Sequence, residues 1–210
     1  MPQTPINATD RTLGLVNIWQ VLRKLFWEVE LLKAIPTQVR IGLPPIDVLH
    51  VTDARIYAAV NACSTSLSLV DWLFHRVNGD QQLADACRRA FPGVLLDDDK
   101  AFLKSLRDIS RPLNVCHQVC NASKHHSLRT PEVGFKTMVA DVLYTDPDGT
   151  QLSTAMHVTH DRRGPLDEYS IDEILSSLVE WWQEKLSAIG IPGGDLFFPD
   201  AAQSCAKRGS

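Results

Sequence analysis

The densest polar chemistry in this chain lies between Arg107 and His126, which holds three of the seven histidines and two of the five cysteines. Arg107, Arg111, Asn114, His117, Asn121, Lys124 and His125 recur there at three- and four-residue intervals. On a helix that spacing sets Asn114, His117, Asn121 and Lys124 in one row and places Arg107, Arg111 and His125 at the same rim, beside the apolar stripe Phe102, Leu106, Ile109, Leu113, Cys116 and Cys120. A row at the rim of a core can be held by neighbours and still reach solvent. Histidine exchanges protons near neutral pH, and guanidinium binds phosphate through paired donors. This combination suits acid–base work on an anionic substrate.

Other chemistries can be drawn from the same residues and are weaker. Cys116, Cys120, His157 and His160 supply zinc-ligand types, yet both cysteines belong to the apolar stripe and the histidines point to opposite faces of a strand. No metal or other cofactor is therefore expected. A cysteine nucleophile beside His117 fails because adjacent residues on a helix diverge. Asp97, Asp98 and Asp99 read as a helix start, where carboxylates favour the positive end of the helix dipole. As a bland alternative, Lys124, His125 and His126 complement a helix C-terminus, Asn114 and Asn121 bond neighbouring helices, and His117 is a satisfied rim histidine.

These side chains need long helices to hold them, and the periodicity supplies them. Ile18, Leu22, Leu25, Val29 and Leu32 predict a first helix over about 12–34, stopped by Pro36. Residues 39–45, with Gly42, Pro44 and Pro45, read as a loop. A second helix runs from Asp47 or Thr52 to Val77 on a seam of Ile56, Val60, Cys63, Leu67, Val70, Phe74 and Val77. Asp80 caps a short helix to about Ala90. The third long helix, about 98–126, carries the polar row, with a kink or restart at Pro112 and the joint near Ser110 or Arg111.

After Pro131 the period falls from 3.6 to 2. Met138, Ala140, Val142 and Tyr144 share one face of a strand, Leu152, Thr154, Met156 and Val158 alternate in the next, and Asp146-Pro-Asp-Gly149 makes the turn. Ser170-Ile-Asp-Glu173 is a capping box that opens the last helix, which reaches about Ile189 before a glycine-rich tail over 191–210. The expected fold is mainly α, a single domain over 1–210 built as an up-and-down bundle of about four long helices, with a β-hairpin inserted at about 135–160.

Arg111-Pro-Leu-Asn-Val-Cys-His117 resembles the arginine-x(4–6)-histidine motif of the HEPN superfamily, small helical bundles with the motif late in the chain. The resemblance implies a homodimer in which paired motifs form a metal-independent ribonuclease site for RNA processing or defence. His117 would then be the general acid and base and Arg111 the phosphate-stabilising cation, with Arg107, Asn114, Asn121, Lys124 and His125 as binding residues. Asn121-Ala-Ser-Lys-His125 is also similar to the helix end of certain uncharacterised bacterial helical proteins. The alternative is a non-catalytic helical module that binds a protein or a small ligand.

Composition narrows the setting. With 44% hydrophobic and 22% charged residues and a net charge of −4, the chain has no broad field to attract a polyanion, so RNA contact would be local. The first ten residues lack the basic and apolar regions of a secretory signal, and no apolar run suits a membrane span. Scattered cysteines, odd in number, fit reduced thiols, and a cytoplasmic location is expected.

Overall fold

Asn17 opens the first helix. Its side chain accepts from the Gln20 N–H, while the Gln20 side chain accepts from the Asn17 N–H, so two otherwise orphaned donors are satisfied together. In this computed structural model, which describes residues 14–41, 45–124, 134–160 and 169–198, helix α1 therefore spans Ile18–Ala34, and the expected start near residue 12 is too early. Strand β1 (Gln38–Ile41) follows, then helix α2 (Pro45–Val77), α3 (Gln81–Ala90), α4 (Asp99–Ile109) and α5 (Arg111–Lys124). The hairpin β2 (Phe135–Asp146) and β3 (Gly149–His160) leads to β4 (Tyr169–Ser170), α6 (Ile171–Ile189) and the short α7 (Gly194–Phe197). The chain is mainly helical with a small antiparallel sheet.

The third helix breaks and restarts at the joint expected near Pro112, giving two helices, α4 and α5. Ser110 closes α4 by donating its N–H to Leu106 and opens α5 by accepting from the Asn114 N–H, with its hydroxyl oxygen 3.4 Å from the Leu113 N–H. Pro112 then sits in the first turn of α5, where its missing N–H has no partner to lose. Asp80 and Asp98 cap α3 and α4 as their positions predict. Ser170 caps α6 by accepting from the Asp172 N–H, one residue nearer than the capping box requires.

The expected loop over 39–45 is corrected at its start: Gln38–Ile41 pairs antiparallel with Ser153–Thr150 of β3. Strand order is β1–β3–β2, with β4 on the same side of β3 as β1. Thr154, Met156 and Val158 are buried toward the helices. Their partners across the hairpin are Asp141, Val139 and Thr137. The set Met138, Ala140, Val142 and Tyr144 does share a face, but that face is the solvent side of the sheet, where Met138 is 49% and Val142 57% exposed.

The core lies between α1, α2, α5 and α6, with Trp182 fully buried and its indole N–H donating to Ser66. The deepest stripe of α2 runs through Arg55, Ala59, Ala62, Ser66, Leu69 and Leu73, offset from the apolar seam, of which Ile56, Val60 and Leu67 are only half-buried. Arg55, 1% exposed, is the tie between three helices. Its Nη1 donates to the carbonyls of Leu32 and Ile35 at the end of α1, and its Nη2 lies 2.9 and 3.0 Å from the two carboxylate oxygens of Asp172 in the first turn of α6. No helix among the described residues is long and apolar enough to cross a membrane.

Candidate functional site

The one-residue joint at Ser110 turns the end of α4 back over the start of α5. Arg107, in the last turn of α4, thereby reaches two positions on α5. Its Nε donates to Asn114 Oδ1 at 3.0 Å, and its Nη1 stands 3.3 Å from His117 Nε2. The Asn121 amide nitrogen, one turn further along α5, is 3.3 Å from His117 Nδ1 and 3.2 Å from Nε2. Arg107, Asn114, His117 and Asn121 are all half-buried, at the rim position the wheel predicts.

A guanidinium only donates, so where Arg107 bonds His117 the ring nitrogen Nε2 accepts. The Asn121 contacts to the two ring nitrogens take their donor and acceptor roles from the tautomer. An anion that drew the guanidinium to itself would free the Nε2 lone pair.

Arg111 occupies a different setting. It is exposed in the first turn of α5, its Cζ lies 4.5 Å from the Tyr169 ring centroid, and its Nη1 donates to the Tyr169 hydroxyl at 3.3 Å. That arrangement is a cation–π stack. It forms one wall of a cleft of about 310 Å³ whose floor is Pro112, Val115 and Ile174 and whose polar groups are Arg111, Glu173 and Ser177. The sequence marks neither Tyr169 nor Ser177, and it marks Glu173 only as the last member of the capping box that starts α6. With a rise of 1.5 Å per residue, Arg111 and His117 are about 9 Å apart along α5. Lys124 is exposed in the last turn, and His125 lies outside the described residues.

The cysteines belong to the interior. Cys63, Cys116 and Cys120 are buried between α2 and α5. The hydrogen bond to Cys116, then burial and neighbouring negative groups, push the Cys63 thiol well up. Burial raises Cys120 to about 11, with Cys116 adding to it and Lys124 opposing. Such thiols are poor nucleophiles at neutral pH. Among the described residues no three histidine, cysteine, aspartate or glutamate side chains gather as a metal site. Compared with known proteins, the chain matches no family model, no curated protein and no solved structure.

Proposed function

We propose that this chain is a HEPN-like up-and-down bundle of α1, α2, α4–α5 and α6 that cleaves RNA without a metal, acting as a homodimer in RNA processing or defence. The observation that carries the reading is the contact between His117 Nε2 and the Arg107 guanidinium on a half-buried, solvent-reaching rim. A phosphodiester that attracts the guanidinium releases Nε2 to take the proton of the ribose 2′-hydroxyl. The 2′-oxygen–phosphorus bond forms, the phosphorus–5′-oxygen bond breaks, and the leaving oxygen takes a proton from His117 of the second copy. The products are a 2′,3′-cyclic phosphate and a free 5′-hydroxyl. Arg107 and Arg111 offset charge on the phosphate, and the Tyr169 ring offers a face for a flanking base.

The test is single-stranded RNA incubated with purified protein and with the Arg111→Ala/His117→Ala and Arg107→Ala variants. The reading requires that the double variant lose cleavage and that Arg107→Ala lose most of it. A second reading rests on the Arg111–Tyr169 cleft, whose apolar floor and Arg111 guanidinium suit a small anionic ligand held without chemistry. Cleavage unchanged in the double variant would leave that reading in place of the first.

A further inference from the structure

We propose that the turn between α2 and α3 is a site of spontaneous covalent modification. The Gly79 main-chain nitrogen attacks the Asn78 side-chain amide, which leaves as ammonia, and water then leaves an acid at position 78. The inference stands whether or not the chain cleaves RNA.

The reaction needs a backbone nitrogen that no hydrogen bond holds and an amide carbon that can reach it. The turn supplies both. Asn78 follows the last residue of α2, and its own N–H donates to the Phe74 carbonyl at 2.8 Å. The Asp80 N–H donates to the Val77 carbonyl at 3.2 Å. Between these two bonds the Gly79 N–H has no hydrogen-bond partner among the described residues, and neither has the Asn78 side chain. Both residues are exposed. Gly79 takes a φ of +106°, and a methyl group built on it would meet no atom within 4 Å, so nothing crowds the attacking peptide.

Of the asparagines in the chain, Asn78 is the one followed by glycine; the others precede alanine, isoleucine or valine, whose side chains crowd the nitrogen. Asn61, Asn114 and Asn121 also lie inside helices, where the next N–H is committed to a carbonyl one turn back.

The Gly79 nitrogen gives its proton to a solvent base and bonds to Asn78 Cγ. The Cγ–Nδ2 bond breaks, and the amide nitrogen takes up protons and departs as ammonia, leaving a cyclic imide. Water opens the ring at either carbonyl. One opening restores the main chain with an aspartate; the other routes the main chain through the side-chain carbon as isoaspartate. The balance is water in and ammonia out, with no oxidant or cofactor. Either product sets a negative charge at the C-terminal end of α2, the negative end of the helix dipole. That charge also stands two residues from Asp80, whose carboxylate caps α3 through the Leu83 N–H at 3.1 Å. Isoaspartate further lengthens the main chain between the bonds made by the Asn78 and Asp80 N–H groups, so it loosens the joint between α2 and α3.

The experiment ages the full chain at mildly alkaline pH, native and in concentrated urea, and follows every asparagine by peptide mapping and mass spectrometry. Isoaspartate is read with a carboxyl methyltransferase specific to it. In the native protein Asn78 should convert first, to both isomers with isoaspartate in excess. Its rate should be about that in urea, because no local opening has to precede the attack. Asn61, Asn114 and Asn121 should convert more slowly in the native protein than in urea. Asn78→Gln, which would need a larger ring, should lose the early acidic form. The aged protein should unfold at a lower urea midpoint than Asn78→Asp, which carries the charge without the added main-chain carbon. An Asn78 amide that stays intact in the native protein would overturn the proposal, whether or not it converts in urea. So would earlier conversion of another asparagine in the native protein, or aspartate formed without isoaspartate, the mark of direct hydrolysis.

Discussion

Removing the carboxylate of Asp172 should cost this fold a large part of its stability. Arg55 keeps its charge inside the protein at 1% exposure, where it is bonded to the Leu32 and Ile35 carbonyls and to both oxygens of Asp172. Its Nε is buried with no partner among the described residues, so Asp172 is the group that balances the charge. Breaking one side of a buried pair costs about 3–5 kcal/mol, because the remaining charge is stranded. Asp172 itself is 28% exposed, so water can reach part of the vacated site and the lower end applies. A further few tenths of a kcal/mol come from losing an acidic residue in the first turn of α6. Asp172→Ala is therefore expected to cost about 3 kcal/mol, against a total stability of about 5–15 kcal/mol for a domain.

The assay is urea unfolding followed by far-ultraviolet circular dichroism, with the midpoint lowered and the slope unchanged. Arg55→Met should itself be costly, since it orphans carbonyls at the end of α1. Combined with Asp172→Ala, however, it should cost about 2 kcal/mol or more less than the sum of the single changes. A loss below about 1 kcal/mol for Asp172→Ala, or additive effects in the double variant, would refute the idea that this pair ties α1, α2 and α6 together.

Three further outcomes are expected. Cys87 and Cys120 are held at about 11 against an ordinary 9.0, chiefly by burial, so the folded state binds their protons more tightly than the unfolded one. Their contribution is complete below pH 9 and lost as pH rises toward 11, at most about 3 kcal/mol each; a urea midpoint that does not fall over that interval, or falls equally in Cys87→Ala/Cys120→Ala, would contradict this. A methyl group at Gly194 would lie 2.9 Å from Trp19 Cζ2, and the indole cannot retreat without loosening its 3.1 Å bond to the Ile191 carbonyl. Gly194→Ala should cost about 1–3 kcal/mol and shift tryptophan fluorescence; an unchanged spectrum and midpoint would show that the α7 contact is loose. Asp98→Ala removes the bond to the Ala101 N–H that starts α4 and should cost about 1 kcal/mol in the same assay, and a neutral result would deny the cap its role.

Elements governed by local chemistry were legible in the sequence. Asp80, Asp98 and Ser170 mark helix starts because short oxygen-bearing side chains satisfy backbone donors wherever they stand. Pro112 announced the joint at Ser110, and Asp146-Pro-Asp-Gly149 the hairpin. What escaped depends on distant partners. The strand at Gln38–Ile41 alternates polar and apolar residues over only four positions among prolines and glycine, and its partner is the β3 edge more than a hundred residues away. Arg55 lies in the deepest stripe of α2, which an apolar pattern cannot reveal because the carbonyls and carboxylate that satisfy it come from α1 and α6. The solvent-side face of β2 was chosen by where the helices stop covering the sheet. The site was half legible. Spacing along α5 grouped Asn114, His117 and Asn121, but the partner of His117 depends on the angle between α4 and α5. The joint at Ser110 brings Arg107 to His117, while Arg111 meets Tyr169 of β4.

The central claim is that His117, set against the Arg107 guanidinium, moves protons on RNA. The direct measurement is the rate and end chemistry of cleavage of a single-stranded RNA by purified protein in excess chelator, wild type beside His117→Ala. The account predicts fragments ending in a 2′,3′-cyclic phosphate and a 5′-hydroxyl, formed about 100- to 10,000-fold more slowly by His117→Ala, the range general acid–base catalysis supplies. Equal rates for the two proteins, or no cleavage by either, would contradict it.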